Sequence, residues 1–157
     1  MREPVLVVLR ESPARIARIT ADLTPAALQK SPAPGAWSAN EVLAHLRSCA
    51  DVWGGYIRRL IDEEEPTIRA ISPRGWIRRT NYLELEFQSS FRAFESQRAD
   101  LVSLLESLPP RDWSRAARVT RSGRIVSETV LSLAERLAEH ENHHLEQFTR
   151  IAQAVRE

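Results

Sequence analysis

Apolar side chains recur every three or four residues through four long stretches of this chain, and that periodicity points to a helical bundle. The first stretch runs from about Pro4 to Asp22, with Ile16, Ile19 and Leu23 at helical spacing. Ser12-Pro13 within it is a start or restart signal, since a serine cap followed by proline at the first helical position suits a helix N-terminus. Thr24-Pro25 repeats the pair and opens a short helix ending near Gln29. The loop Ser31-Pro32-Ala33-Pro34-Gly35 cannot continue it.

The clearest start lies at Ser38 and Glu41, an S-x-x-E capping box, with Trp37 and Val42 placed as a hydrophobic staple. From there Val42, His45, Leu46, Cys49, Trp53, Tyr56, Ile57 and Leu60 trace one face of a second long helix, which ends around Asp62 to Pro66. Residues 66–78 contain Pro73 and Gly75 and form a long connection. A third helix is expected from about Thr80 to Leu108, carrying Leu83, Phe87, Phe91, Phe94, Leu101, Leu104, Leu105 and Leu108, and Pro109-Pro110 stops it. Residues 111–126 are expected to form another loop that turns at Ser122-Gly123, with a short extended pair as the lesser alternative. Ser127 is expected to cap a fourth helix reaching about Val155, with Val130, Leu133, Ala134, Leu137, Phe148, Ile151 and Val155 on its apolar stripe. No strand alternation of useful length is visible. The expected fold is all-α, a four-helix bundle with longer connections between the second and third and the third and fourth helices.

At 157 residues the chain is expected to form one domain, 1–157, able to bury a core without staples. One cysteine, Cys49, excludes an intrachain disulfide and fits a reducing compartment. The apolar run Val5 to Leu9 is too short for a signal peptide or a membrane span, so the expected location is the cytoplasm. A net charge of +1 gives no general attraction to nucleic acid. Arginines do cluster, at Arg69, Arg74, Arg78 and Arg79 and again at Arg111, Arg115, Arg118, Arg121 and Arg124. Such residues are mostly solvated surface, and the other reading is a site for an anionic ligand.

The four histidines carry the chemistry. His140 and His144 are four apart on the fourth helix, so both rings project from one face in adjacent turns, the spacing by which helical motifs hold a metal. The apolar stripe runs through them from Leu137 to Phe148. His45 falls between Val42, Leu46 and Cys49 in the same way. A single histidine on such a face is commonly a hydrogen-bonded core residue. Three buried together must each find polar partners, and a metal ion satisfies one nitrogen of all three at once. His143 is about 100° from His144 around the helix and is expected to face solvent or to support a ligand from outside. Glu41 could orient His45, although its capping role is sufficient. Cys49 lies one turn after His45 and is read as a small buried apolar residue, with ligation of a metal as the alternative. Glu139 and Glu141 flank His140, but neighbours on a helix point apart, so no general base is identified.

Trp37-Ser38-x-x-Glu41-Val42-Leu43-Ala44-His45-Leu46, followed by His140-x-x-x-His144-Leu145-x-Gln147-Phe148, resembles the DinB/YfiT-like superfamily. Pro32-Ala33-Pro34-Gly35 and Leu108-Pro109-Pro110-x-x-Trp113 fit the same pattern, so the resemblance spans roughly Ser12 to Phe148. It implies a four-helix bundle whose divalent metal is bound by His45, His140 and His144, with the homodimers common in that family. Many members carry Arg-Gly after the final histidine, where this chain has Leu145-Glu146, which places it in a subgroup. Three neutral imidazoles leave a coordination position open, the ligand set of a catalytic site. Zinc or nickel is the expected metal, with iron or manganese as alternatives. The expected activity is that of a metalloenzyme acting on a small molecule, a transferase using a low-molecular-weight thiol or a hydrolase. The alternative is a non-catalytic metal-binding or stress-associated protein. No nucleic-acid or membrane partner is expected.

Overall fold

A computed structural model describes residues 2–156. Four long helices form the bundle: α1 (Arg2–Thr20), α3 (Ala39–Asp62), α5 (Phe87–Glu106) and α6 (Val130–Arg156). Two short ones, α2 (Pro25–Gln29) and α4 (Pro73–Trp76), lie in the connections. α1 and α3 each pack against both α5 and α6. Direction follows from the side chains that bridge them. Arg15 reaches Asn142 (3.3 Å) and Arg156 reaches Asp22 (2.6 Å), so α1 and α6 run parallel. Arg47 donates to Ser90 (3.2 Å) and Gln97 to Asp51 (2.8 Å), so α3 and α5 also run parallel. α3 is antiparallel to α6: the start of α3 shares an apolar cluster with the end of α6, and its end shares one with the start of α6. Parallel neighbours demand a return crossover about one helix long, which is why residues 63–86 form so long a connection.

The start signals act as the sequence predicts at two places. Thr24 accepts a hydrogen bond from the Ala27 amide, and Ser38 and Glu41 exchange both bonds of the capping box. At three others the structure differs. α1 runs unbroken through Pro13, and Ser12 starts nothing: it is buried and donates to the Val8 carbonyl (2.7 Å). The third long helix begins at Phe87, not Thr80. Tyr82–Glu84 form a 3₁₀ turn instead, leaving Leu83 exposed while the Tyr82 hydroxyl donates to Asp51 (2.5 Å). Ser127 lies in a strand, and the cap of α6 falls to Thr129. Its hydroxyl accepts from the Ser132 amide (3.0 Å), while the Ser132 hydroxyl accepts from the Thr129 amide (2.8 Å).

A small sheet closes one end of the bundle: the extended pair that is the lesser reading of residues 111–126 forms, and a third strand that the sequence does not suggest joins it. β2 (Ala116–Arg121) and β3 (Arg124–Thr129) form a hairpin, and β1 (Thr67–Arg69) joins β2 in parallel with Ile68 opposite Val119. Positive φ at Ser122 (50°) and Gly123 (77°) gives the two-residue turn whose twist suits a hairpin. Only Ile68, Ala117 and Val119 of these strands add apolar side chains to the core, and Ile125 on β3 is exposed. So short an inward pattern, with its third strand from a remote segment, leaves no alternation to read.

The core has two apolar clusters, one at each end of the bundle. Leu9, Ile57, Leu105 and Leu137 belong to the first, and Ile16, Leu43, Phe94 and Phe148 to the second. Between them in chain order on every long helix stand buried polar groups: Ser12 on α1, Ser48 on α3, Arg98 on α5, and Glu141 and His144 on α6, with His45 just inside the second cluster beside Leu46. A polar layer inside a bundle costs stability unless its members satisfy one another. This layer holds the candidate site.

Candidate metal centre

His45, His140 and His144 converge where α3 faces α6. His140 Nε2 lies 3.2 Å from His45 Nε2 and 3.0 Å from His144 Nε2. An imidazole nitrogen in the ring plane offers either one proton or one lone pair, never both. The two contacts of His140 Nε2 therefore need opposite things if one is to donate and the other to accept. Protonation of the rings does not resolve this near neutral pH. Burial, reinforced by the neighbouring histidines, pushes His45 down to about 4 and His140 to about 3, and burial also lowers His144. Donor atoms of His45, Cys49 and His140 lie close enough together to hold a metal ion, and His144 reaches that group through His140.

The outer nitrogens set the tautomers. His144 Nδ1 donates to Gln147 Oε1 (2.6 Å), which leaves Nε2 as the lone-pair nitrogen. His140 Nδ1 is buried without a hydrogen-bond partner among the described residues, and its ring meets the Trp53 ring edge-on at 5.1 Å. Trp37 lies 5.1 Å from the His45 ring, and the Arg74 guanidinium sits 5.1 Å from the Trp37 ring. α4, which carries Arg74, is tied to α3 by the Ser48 hydroxyl donating to the Pro73 carbonyl (2.5 Å) and by Trp76 Nε1 donating to Asp51 (3.0 Å).

Cys49 is buried in the core, as expected of a small apolar residue, and its sulfur also lies beside the histidines. Its Sγ lies 3.5 Å from His45 Nε2 and 3.9 Å from His140 Nε2, and donor atoms of these three residues all fall within 4.8 Å of one another. Burial pushes the thiol up to about 12. The other candidates do not join this group, although the His143 ring lies 5.6 Å from that of His144. His143 is exposed, Glu41 accepts the Ser38 amide (3.0 Å) in the capping box, and Glu141 turns toward α5.

Glu141 forms a buried ion pair with Arg98, each about 2% exposed, reaching from α6 across to α5. Neither partner was identified from sequence as a pair. The signal was present: Arg98 follows Phe94 by four residues and precedes Leu101 by three, a core position by spacing, and Glu141 follows Leu137 by four. Of the arginine clusters, Arg74 alone is placed against the site's aromatic wall. Arg115 instead donates to the Leu60 (2.6 Å) and Glu63 (2.8 Å) carbonyls at the end of α3.

The family model for the DinB superfamily matches residues 9–148. The chain belongs to the DinB superfamily. No curated protein matches it. Among solved structures it is similar to YfiT from Bacillus subtilis, with a TM-score of 0.81 and 19% identity over 96% of this chain and 85% of that one. YfiT is described as "a probable metal-dependent hydrolase with an unusual four-helix bundle topology", and a likeness at this identity shows the fold. The all-α bundle expected from periodicity is thus the fold of this DinB-like chain. No described helix is long and apolar enough to cross a membrane.

Proposed function

We propose that the chain is a metal-dependent enzyme acting on a small molecule, with His45, His140 and His144 as the ligands of one divalent ion, zinc or nickel. The observation that carries this reading is the pair of short contacts that His140 Nε2 makes with His45 Nε2 and His144 Nε2, which one ring nitrogen cannot satisfy as two straight hydrogen bonds, one donated and one accepted. The description of YfiT as a probable metal-dependent hydrolase supports it. Such an ion lowers the pKa of a bound water or accepts a substrate thiolate, the two chemistries behind hydrolysis and thiol transfer. The protein's part is to hold three neutral rings in a fixed fan. Gln147 orients one of them, and Trp37 and Trp53 wall the site. Arg74, stacked on Trp37, places a positive charge beside the site and favours a substrate with an anionic group, such as a low-molecular-weight thiol in its thiolate form.

Elemental analysis of untagged protein tests this, with His45→Ala and His144→Ala alongside. About one equivalent of zinc, nickel or iron in the wild type, lost in both variants while helicity persists, is the expected result. No metal after incubation with excess divalent ions sinks the proposal. Ester, amide and thiol-transfer substrates then follow on the loaded protein. A metal-binding role without catalysis is the second reading. It is favoured by the engagement of Glu41 in a cap and of Glu141 with Arg98, which leaves neither carboxylate to serve as a base.

A further inference from the structure

The geometry points to Cys49 as a fourth protein ligand, making the centre three nitrogens and one thiolate sulfur. This rests on the three-histidine reading and goes beyond it. In a tetrahedral zinc site, bonds of about 2.0–2.1 Å to nitrogen and about 2.3 Å to sulfur place neighbouring nitrogens about 3.3 Å apart and nitrogen and sulfur about 3.6 Å apart. The separations here are 3.2 and 3.0 Å between nitrogens, and 3.5 and 3.9 Å between sulfur and nitrogen. The three edges among His45, His140 and Cys49, and the one from His140 to His144, are therefore within a few tenths of an ångström of those of a tetrahedron, and completing its six edges requires the His144 ring to move in toward His45 and Cys49 as the ion binds. Helical geometry is the cause: Cys49 follows His45 by one turn on α3, as His144 follows His140 by one turn on α6, so two i, i+4 pairs face each other.

As the sulfur–metal bond forms, the Cys49 S–H proton passes to solvent, and no atom changes oxidation state. Two consequences follow for this site. The thiolate selects a thiophilic ion such as zinc over manganese or magnesium. It also fills the position that three histidines alone leave open, so a substrate reaches the ion by expansion to five-coordination.

Cobalt(II) is the probe, added stepwise to metal-free wild type, Cys49→Ser, Cys49→Ala and His45→Ala, with circular dichroism as the fold control. Wild type is expected to take one equivalent and to show a sulfur-to-cobalt charge-transfer band in the near ultraviolet. Both cysteine variants are expected to lose that band and keep their helicity. They are expected to bind cobalt more weakly by over about tenfold, since losing a direct ligand outweighs the loss of an outer partner, itself worth about 10–100-fold. One equivalent bound without the band, and unchanged affinity in both cysteine variants, overturns the role of Cys49 and leaves the three-histidine reading standing. Failure of wild type to bind cobalt overturns both.

Discussion

At the scale of single residues, the site is built from groups that burial would penalise in isolation. His144 shows how one partner organises a proposed ligand: the Gln147 carbonyl oxygen accepts from Nδ1 and leaves Nε2 with its lone pair. Gln147→Ala is therefore expected to weaken metal binding about 10–100-fold without removing a ligand, as measured by competition with a chelator. An unchanged affinity means the tautomer is set elsewhere. The lowered histidines also make a pH prediction for the metal-free protein. His45 and His140 titrate near 4 and 3 when folded, chiefly through desolvation, and near their ordinary value of 6.5 when unfolded. Between those values the unfolded chain binds more protons, so stability rises with pH there and its loss begins as pH falls below about 6.5. Urea midpoints are expected to drop from pH 7 to pH 4.5. That drop should shrink in the His45→Gln/His140→Gln double variant, and equal slopes in both proteins count against the assignment.

At the scale of elements, helix starts and the central ion pair make separable contributions. Ser38→Ala removes one side of the capping box that opens α3, and a loss of about 1 kcal/mol is expected in urea unfolding. Because α3 carries His45 seven residues on, metal affinity in this variant should change little once folded. Arg98 and Glu141 behave differently, since removing one leaves the other charged and buried. Glu141→Leu alone is expected to cost about 3–5 kcal/mol, and the Arg98→Met/Glu141→Leu pair to recover most of it. Equal losses in the single and double variants would show that packing, not charge, sets the cost. The sheet belongs to this scale too: Val119 and Ile68 cover the end of the first apolar cluster, which loop-like residues 111–126 could not do with exposed backbone.

At the scale of the whole molecule, the centre joins α3 to α6 in the same layer where Arg98 and Glu141 join α5 to α6. A metal held only by the folded arrangement stabilises it by mass action, about 2.7 kcal/mol at a hundredfold excess over Kd. For a chain of this size that corresponds to a rise in Tm of about 5–11 °C. Thermal unfolding with and without zinc measures it, and His140→Ala should abolish the difference. The helical bundle and its polar residues are local properties, legible because 3.6-residue periodicity, capping boxes and i, i+4 pairs depend on neighbours in sequence. Those local rules determined α3, the stripe of α6 and the shared face of His140 and His144. They also led to errors where a local signal lost to packing. Ser12-Pro13 sits inside α1 because the buried Ser12 hydroxyl is satisfied by the Val8 carbonyl, and Leu83 is excluded from α5 by a 3₁₀ turn tied to Asp51. What tertiary structure alone decided is which faces meet. The parallel pairing of α3 with α5, the strand β1 beside β2, the ion pair between α5 and α6, and the approach of Cys49 to His140 join residues far apart in the chain. Their partners are chosen by packing, which no spacing along a single helix encodes.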